Sequence, residues 1–82
     1  ESGVIIVEIK KGSPAERAKL KLADIILSVN GIKVKTAEDI KEIILNQDLR
    51  SGDELDIKIY RNNQEKTVTM KLGKVKMKSR YW

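Results

Sequence analysis

At 82 residues the chain has room for one hydrophobic core and not for a second. Its 40% hydrophobic and 35% charged content suits a globular domain rather than a disordered or membrane-spanning one. Cysteine and histidine are absent, which excludes disulfides, thiolate chemistry, Cys/His zinc sites and a Ser–His–Asp triad within this chain. The longest uncharged apolar run, Val4–Val7, is far below the roughly 20 residues of a spanning helix. No signal-peptide pattern is present. The net charge of +5 is unevenly placed: residues 66–82 carry six bases and no acid, leaving −1 on the rest. The excess is therefore a C-terminal feature and not a property of the body.

Gly3–Ile9 is a β-branched run that predicts a buried strand, leaving through Lys10, Lys11 and Gly12. Ser13 and Pro14 open a short helix reaching Leu20, with the serine as cap and the proline where its missing donor costs nothing. Asp24–Asn30 predicts a second strand, apolar enough for burial on both faces. Asn30-Gly31 signals a tight turn, because both residues tolerate positive φ, and Ile32 and Val34 mark a brief strand beyond it.

Thr36 and Asp39 have capping-box spacing, with aspartate in the place of Glu or Gln, and predict a helix running to about Gln47. Ile40, Ile43 and Ile44 form its apolar stripe. After the break at Ser51-Gly52-Asp53, Glu54–Arg61 alternates with period two, Asn62-Asn63 turns, and Glu65–Leu72 returns. Two unequal helices among runs of strands predict an α+β fold, a small, partly open antiparallel barrel or sandwich capped by one short and one longer helix.

Gly3–Val7, Gly12-Ser-Pro-Ala15, Ala18-x-Leu20 and Asp24–Gly31, continued by the 36–44 helix, Gly52-Asp53, Ile57–Arg61 and Leu72-Gly73, resemble a bacterial PDZ domain. The combination is most similar to the modules of HtrA/Deg serine proteases. Modules of intramembrane metalloproteases and carboxy-terminal processing proteases are near competitors. Residues 1–73 are read as the PDZ-like domain and 74–82 as a basic C-terminal strand or tail. Where the family usually has Gly, Pro and Gly in the turn before Asp24, this chain has Lys19, Leu22 and Ala23. The family's carboxylate-binding loop normally precedes the segment where this chain starts. The expectation is that this loop belongs to omitted upstream sequence. The alternative is a permutation in which Leu72, Gly73, Lys74 and Val75 form it, with Val75–Met77 as groove strand.

The resemblance implies a non-catalytic peptide-binding module attached to a protease, most often outside the bacterial cytoplasm, with no cofactor or metal. Its partners would be peptide or unfolded-protein C-termini, added as a strand to a sheet edge, and the parent's protease domain. The expected groove comprises Asp39, Ile40, Ile43 and Gln47. Asp39, Ile43 and Gln47 form one line at i, i+4 and i+8, and Ile40 lies with Ile44 on a neighbouring line toward the core. The plainer reading of Ile43 is that it too is core. An isoleucine-lined pocket would favour apolar ligand ends, and Asp39 would disfavour acidic neighbours.

Other classes carry less. Ser13 and Ser28 formally allow a Ser–Lys dyad, but one is better explained as a cap and the other as a strand residue. A scaffold without a competent groove, or membrane or nucleic-acid contact through the 74–82 tail, are the alternatives. Nucleic acid is not the expected partner. The strand 74–78 is a candidate for self-association through an open edge, or simply a solvated edge whose lysines deter pairing.

Overall fold

The computed structural model of the chain describes residues 3–73. In chain order these form β1 (Val4–Ile5), α1 (Pro14–Arg17), β2 (Ile25–Val29), β3 (Ile32–Lys33), α2 (Ala37–Asn46), β4 (Glu54–Arg61) and β5 (Gln64–Lys71). All strand pairs are antiparallel, in the order β1-β2-β4-β5, with β3 paired to β2. The α+β class and the two unequal helices are as expected. The basic strand or tail, 74–82, lies outside the described residues.

Period-two alternation does what it should in the long hairpin. Leu55, Ile57 and Ile59 on β4 are buried, as is Met70 opposite Leu55 on β5, while their neighbours face water. Asn62 and Asn63 both take positive φ (52° and 63°) between Arg61 and Gln64, the two-residue turn whose twist suits an antiparallel pair. Asn30 and Gly31 repeat the device at φ 50° and 82°. The segment just after β5 closes on the turn before β4, with Gly52 N–H donating to Leu72 O (2.9 Å) and Leu72 N–H to Asp53 O (2.8 Å).

Three expectations are corrected. The strand over Gly3–Ile9 shrinks to Val4–Ile5, and Val7 is 79% exposed although its β-branched neighbours suggested burial. At Gly3, just before the strand, a Cβ would sit 2.6 Å from Ile25 Cγ2 and 2.9 Å from Ile26 O, so the chain passes β2 too closely there for a side chain. Next, β2 is not buried on both faces: Ile26 and Val29 are buried, but Ile25, Leu27 and Ser28 are only partly so. The pairing with β4 slips between Ile26 and Ser28, making Leu27 a bulge that turns the strand's far end.

Finally, α1 ends at Arg17 rather than Leu20. Lys19 N–H donates to Glu16 O and Leu20 N–H to Ala15 O, both at 3.0 Å, which closes the helix in a Schellman motif around Lys19. Lys19 (φ 66°) and Ala23 (φ 73°) thus hold left-handed backbone with a Cβ. The turn adopts its geometry without glycine at either position and bears the strain. Lys19→Gly and Ala23→Gly are each expected to raise stability by about 0.5–1 kcal/mol, the relief of strain exceeding the entropy glycine adds to the unfolded chain. The urea midpoints of the two variants measure it.

Candidate functional site

The helix α2 starts as its sequence dictates. Asp39 N–H donates to Thr36 Oγ1 (3.2 Å), and Asp39 Oδ2 accepts from the N–H groups of Thr36 (3.1 Å) and Lys35 (2.8 Å). Those N–H groups, Lys35's foremost, hold the Asp39 carboxyl below its usual range. The helix ends at a second Schellman motif, with Asp48 at φ 52°, Asp48 N–H donating to Leu45 O (3.2 Å) and Leu49 N–H to Ile44 O (3.0 Å).

Between α2 and the β3 segment lies a recess of about 310 Å³. Asp39, Ile43 and Gln47 line its helix side, and Ile32, Lys33 and Lys35 the other. Three of the four expected groove residues therefore come together on one surface. Ile43 is its apolar floor, being largely buried. Ile40, 2% exposed, stands behind that surface in the core together with Ile44. The opposite flank of α2 carries Ala37 and Leu45, the latter 51% exposed. A larger cleft, about 530 Å³, opens on the outer face of the sheet, but its walls mix Lys33, Lys35 and Lys58 with Asp56 and Glu65. Lys58 and Glu65 already pair there at 3.6 Å, so the cleft has little net field.

Of the residues expected to form a permuted loop, Leu72 is buried and Gly73 packs against Pro14, whose Cγ would lie 3.2 Å from a Cβ at 73. Lys74 and Val75 lie outside the described residues. Among the described residues no three His, Cys, Asp or Glu are placed to hold a metal ion, and no helix is long and apolar enough to cross a membrane. Ser13 Oγ accepts from Glu16 N–H at 3.2 Å, the capping role its place before Pro14 predicts.

Among the described residues an edge also stands open. β1 pairs with β2 on one side only among the described residues. Ile6 N–H donates to Asp24 O and Ile6 O accepts from Ala23 N–H, so by alternation the backbone groups of Ile5 and Val7 face the unpaired side. Their side chains are 55% and 79% exposed.

Two features could not be reached by reading along the chain. Asp24 Oδ2 accepts from the backbone N–H of Lys21 at 2.8 Å. It also takes a two-pronged guanidinium bond from Arg61, Nε to Oδ1 (2.8 Å) and Nη2 to Oδ2 (2.6 Å). Asn30, beyond making its turn, reaches both β4 and α2.

This fold of one antiparallel sheet with a short and a longer helix is one that known structures share. A sequence profile of the PDZ domain matches residues 1–72. The chain belongs to the PDZ family. This PDZ domain is 40% identical over 77 residues to the serine protease Do-like HtrA of Bacillus subtilis, covering 94% of this chain and 17% of that protein. It is 31% identical over 72 residues, 88% of this chain and 14% of the other, to a probable periplasmic serine endoprotease DegP-like of Rhizobium meliloti. The chain thus spans about a sixth of the proteases it matches. Its fold superposes with a TM-score of 0.72 on the HtrA3 PDZ domain bound to a phage-derived ligand (FGRWV), at 24% identity, over 85% of this chain and 59% of that one.

Proposed function

We propose that this PDZ domain captures extended C-terminal or unfolded polypeptide segments by strand addition, and so regulates or feeds a protease carried in the same protein. The observation that carries the reading is the recess beside α2, with Ile43 as floor and Asp39 and Gln47 at its rim, in a fold whose HtrA3 counterpart holds a peptide. Ile43 and Ile32 favour an apolar side chain, and the ionised Asp39 disfavours an acidic one beside it. The similarity to HtrA and DegP-like proteases supports the parent and an extracytoplasmic setting. In this reading the domain itself supplies no catalytic group.

A second placement has its own support. The edge of β1 left unpaired among the described residues, with Ile5 and Val7 exposed, offers a second place for a strand, and Leu45 on the other flank of α2 offers an apolar contact. Amide NMR titration with short peptides of apolar C-terminus, beside their amidated forms, separates the placements. Shifts over 32–35 and 39–47 that need the free carboxylate are the expected result. Shifts at Ile5, Val7 and Leu45 select the β1 edge instead. A folded spectrum that neither peptide moves rejects peptide binding by this chain and leaves the scaffold reading.

A further inference from the structure

Asn30 occupies the left-handed first position of the β2–β3 turn, where Asn, Asp or Gly would serve equally for the backbone. Its side chain does more than the turn requires. Its own N–H donates to Asp56 O, Oδ1 accepts from Asp56 N–H, both at 2.8 Å, and Nδ2 donates to Gln47 Oε1 at 3.0 Å. One amide group therefore joins the turn, strand β4 and the C-cap of α2.

The direction of every bond in this chain follows from one fact. A backbone N–H can only donate, so the Asn30 atom facing Asp56 N–H is the oxygen, and the atom facing Gln47 is the NH2. The Gln47 atom facing Asn30 must then be its own oxygen. With Oε1 so engaged, the Gln47 NH2 is the group left to the recess that this residue lines.

We propose that Asn30 is a positioning residue for that recess: it fastens the end of α2 to β4 and sets Gln47 to present a donor. A ligand group seated there is recognised by an acceptor, a main-chain carbonyl or a carboxylate oxygen. The ligand half of this inference rests on the peptide-binding reading, whereas the orientation of Gln47 does not.

Two substitutions at one position separate orientation from mere structure. Asn30→Gly keeps the left-handed turn and removes both side-chain bonds. Asn30→Asp keeps the acceptor for Asp56 N–H but offers only oxygen to Gln47, which must rotate its amide and donate. The Gln47 side-chain NH2 resonances read this directly, without any ligand. They should be solvent-like in the wild-type protein and in Asn30→Gly, and protected from exchange in Asn30→Asp.

Backbone amide exchange at Leu45–Gln47 should rise about fivefold in Asn30→Gly, the scale of one lost hydrogen bond, and return toward wild type in Asn30→Asp. In peptide titrations the preference for a free over an amidated C-terminus should fall in Asn30→Asp, where the recess now meets an oxygen. Gln47 NH2 signals that are alike in all three folded proteins would overturn the inference. So would a helix end whose exchange ignores Asn30→Gly. If the side-chain signals behave as stated while no peptide shifts the wild-type spectrum, the orientation stands and the peptide reading fails.

Discussion

Arg61→Ala is expected to lower the unfolding free energy by about 3–5 kcal/mol, enough to leave a domain of this size close to unfolded at 25 °C. Asp24 is 2% exposed, and among the described residues Arg61 supplies two of the three hydrogen bonds that its carboxylate receives, the other coming from Lys21 N–H. Arg61 Nη2 also donates to Lys19 O (3.2 Å), the carbonyl of the left-handed residue that closes α1. Truncating the arginine strands a buried charge and releases the turn over 19–24 at once. Removing an exposed pair such as Arg50–Asp48, both side chains at least 77% exposed, should cost under about 1 kcal/mol. Arg61→Lys keeps the charge without the fork and should fall between wild type and alanine.

The same pair fixes a pH signature. The bonds from Arg61, against the opposing effect of burial, hold the Asp24 carboxyl below its ordinary value. The folded state then binds fewer protons in acid than the unfolded chain does. The stabilisation is complete above the unfolded carboxyl's pKa of about 4, and it is lost as pH falls through the lower folded value. In Arg61→Ala burial is opposed only by the Lys21 amide and the Lys21 charge, so Asp24 takes up its proton at higher pH. The gap between the two proteins should therefore be widest near neutrality and narrow in acid. Urea midpoints from pH 7 to pH 3 decide it, and a gap that stays constant would exclude Asp24 as the group responsible.

What was legible along the chain, and what was not, divides by the range of the interaction. The Thr36–Asp39 capping box, the Asn30-Gly31 and Asn62-Asn63 turns and the alternation on β4 are written in residues one to three apart, and all appear as expected. Asp24 and Arg61 are 37 positions apart, and Asn30 and Gln47 are 17, so neither partner could be found from its neighbours. The exposure of Val7 follows from where the sheet ends, which a β-branched run does not encode. At the candidate site, the i, i+4, i+8 line placed Asp39, Ile43 and Gln47 on one recess. It could not say that Gln47 is held by a turn residue, because that depends on the slip at Leu27 and on how β4 runs past Asn30.

Ile40→Ala tests whether the helix wall is surface or core. Ile40 is 2% exposed and lies with Leu20, Ile26 and Met70 around a void of only about 10 Å³, too small and too apolar to hold water. Truncation removes its outer methyl and methylene groups and enlarges a space that solvent will not fill. The expected loss is about 2–4 kcal/mol, with the lower end reached if the flexible Met70 side chain swings into the gap. Ile40→Val, which removes one methylene from the same place, should cost about 0.5–1.5 kcal/mol. Leu45→Ala on the same helix, half exposed, should change the urea midpoint little. If Ile40 instead touched ligand from the groove, Ile40→Ala would weaken peptide binding at nearly unchanged stability. The structure requires the reverse order: a large fall in midpoint, with peptide affinity altered only as far as α2 itself shifts.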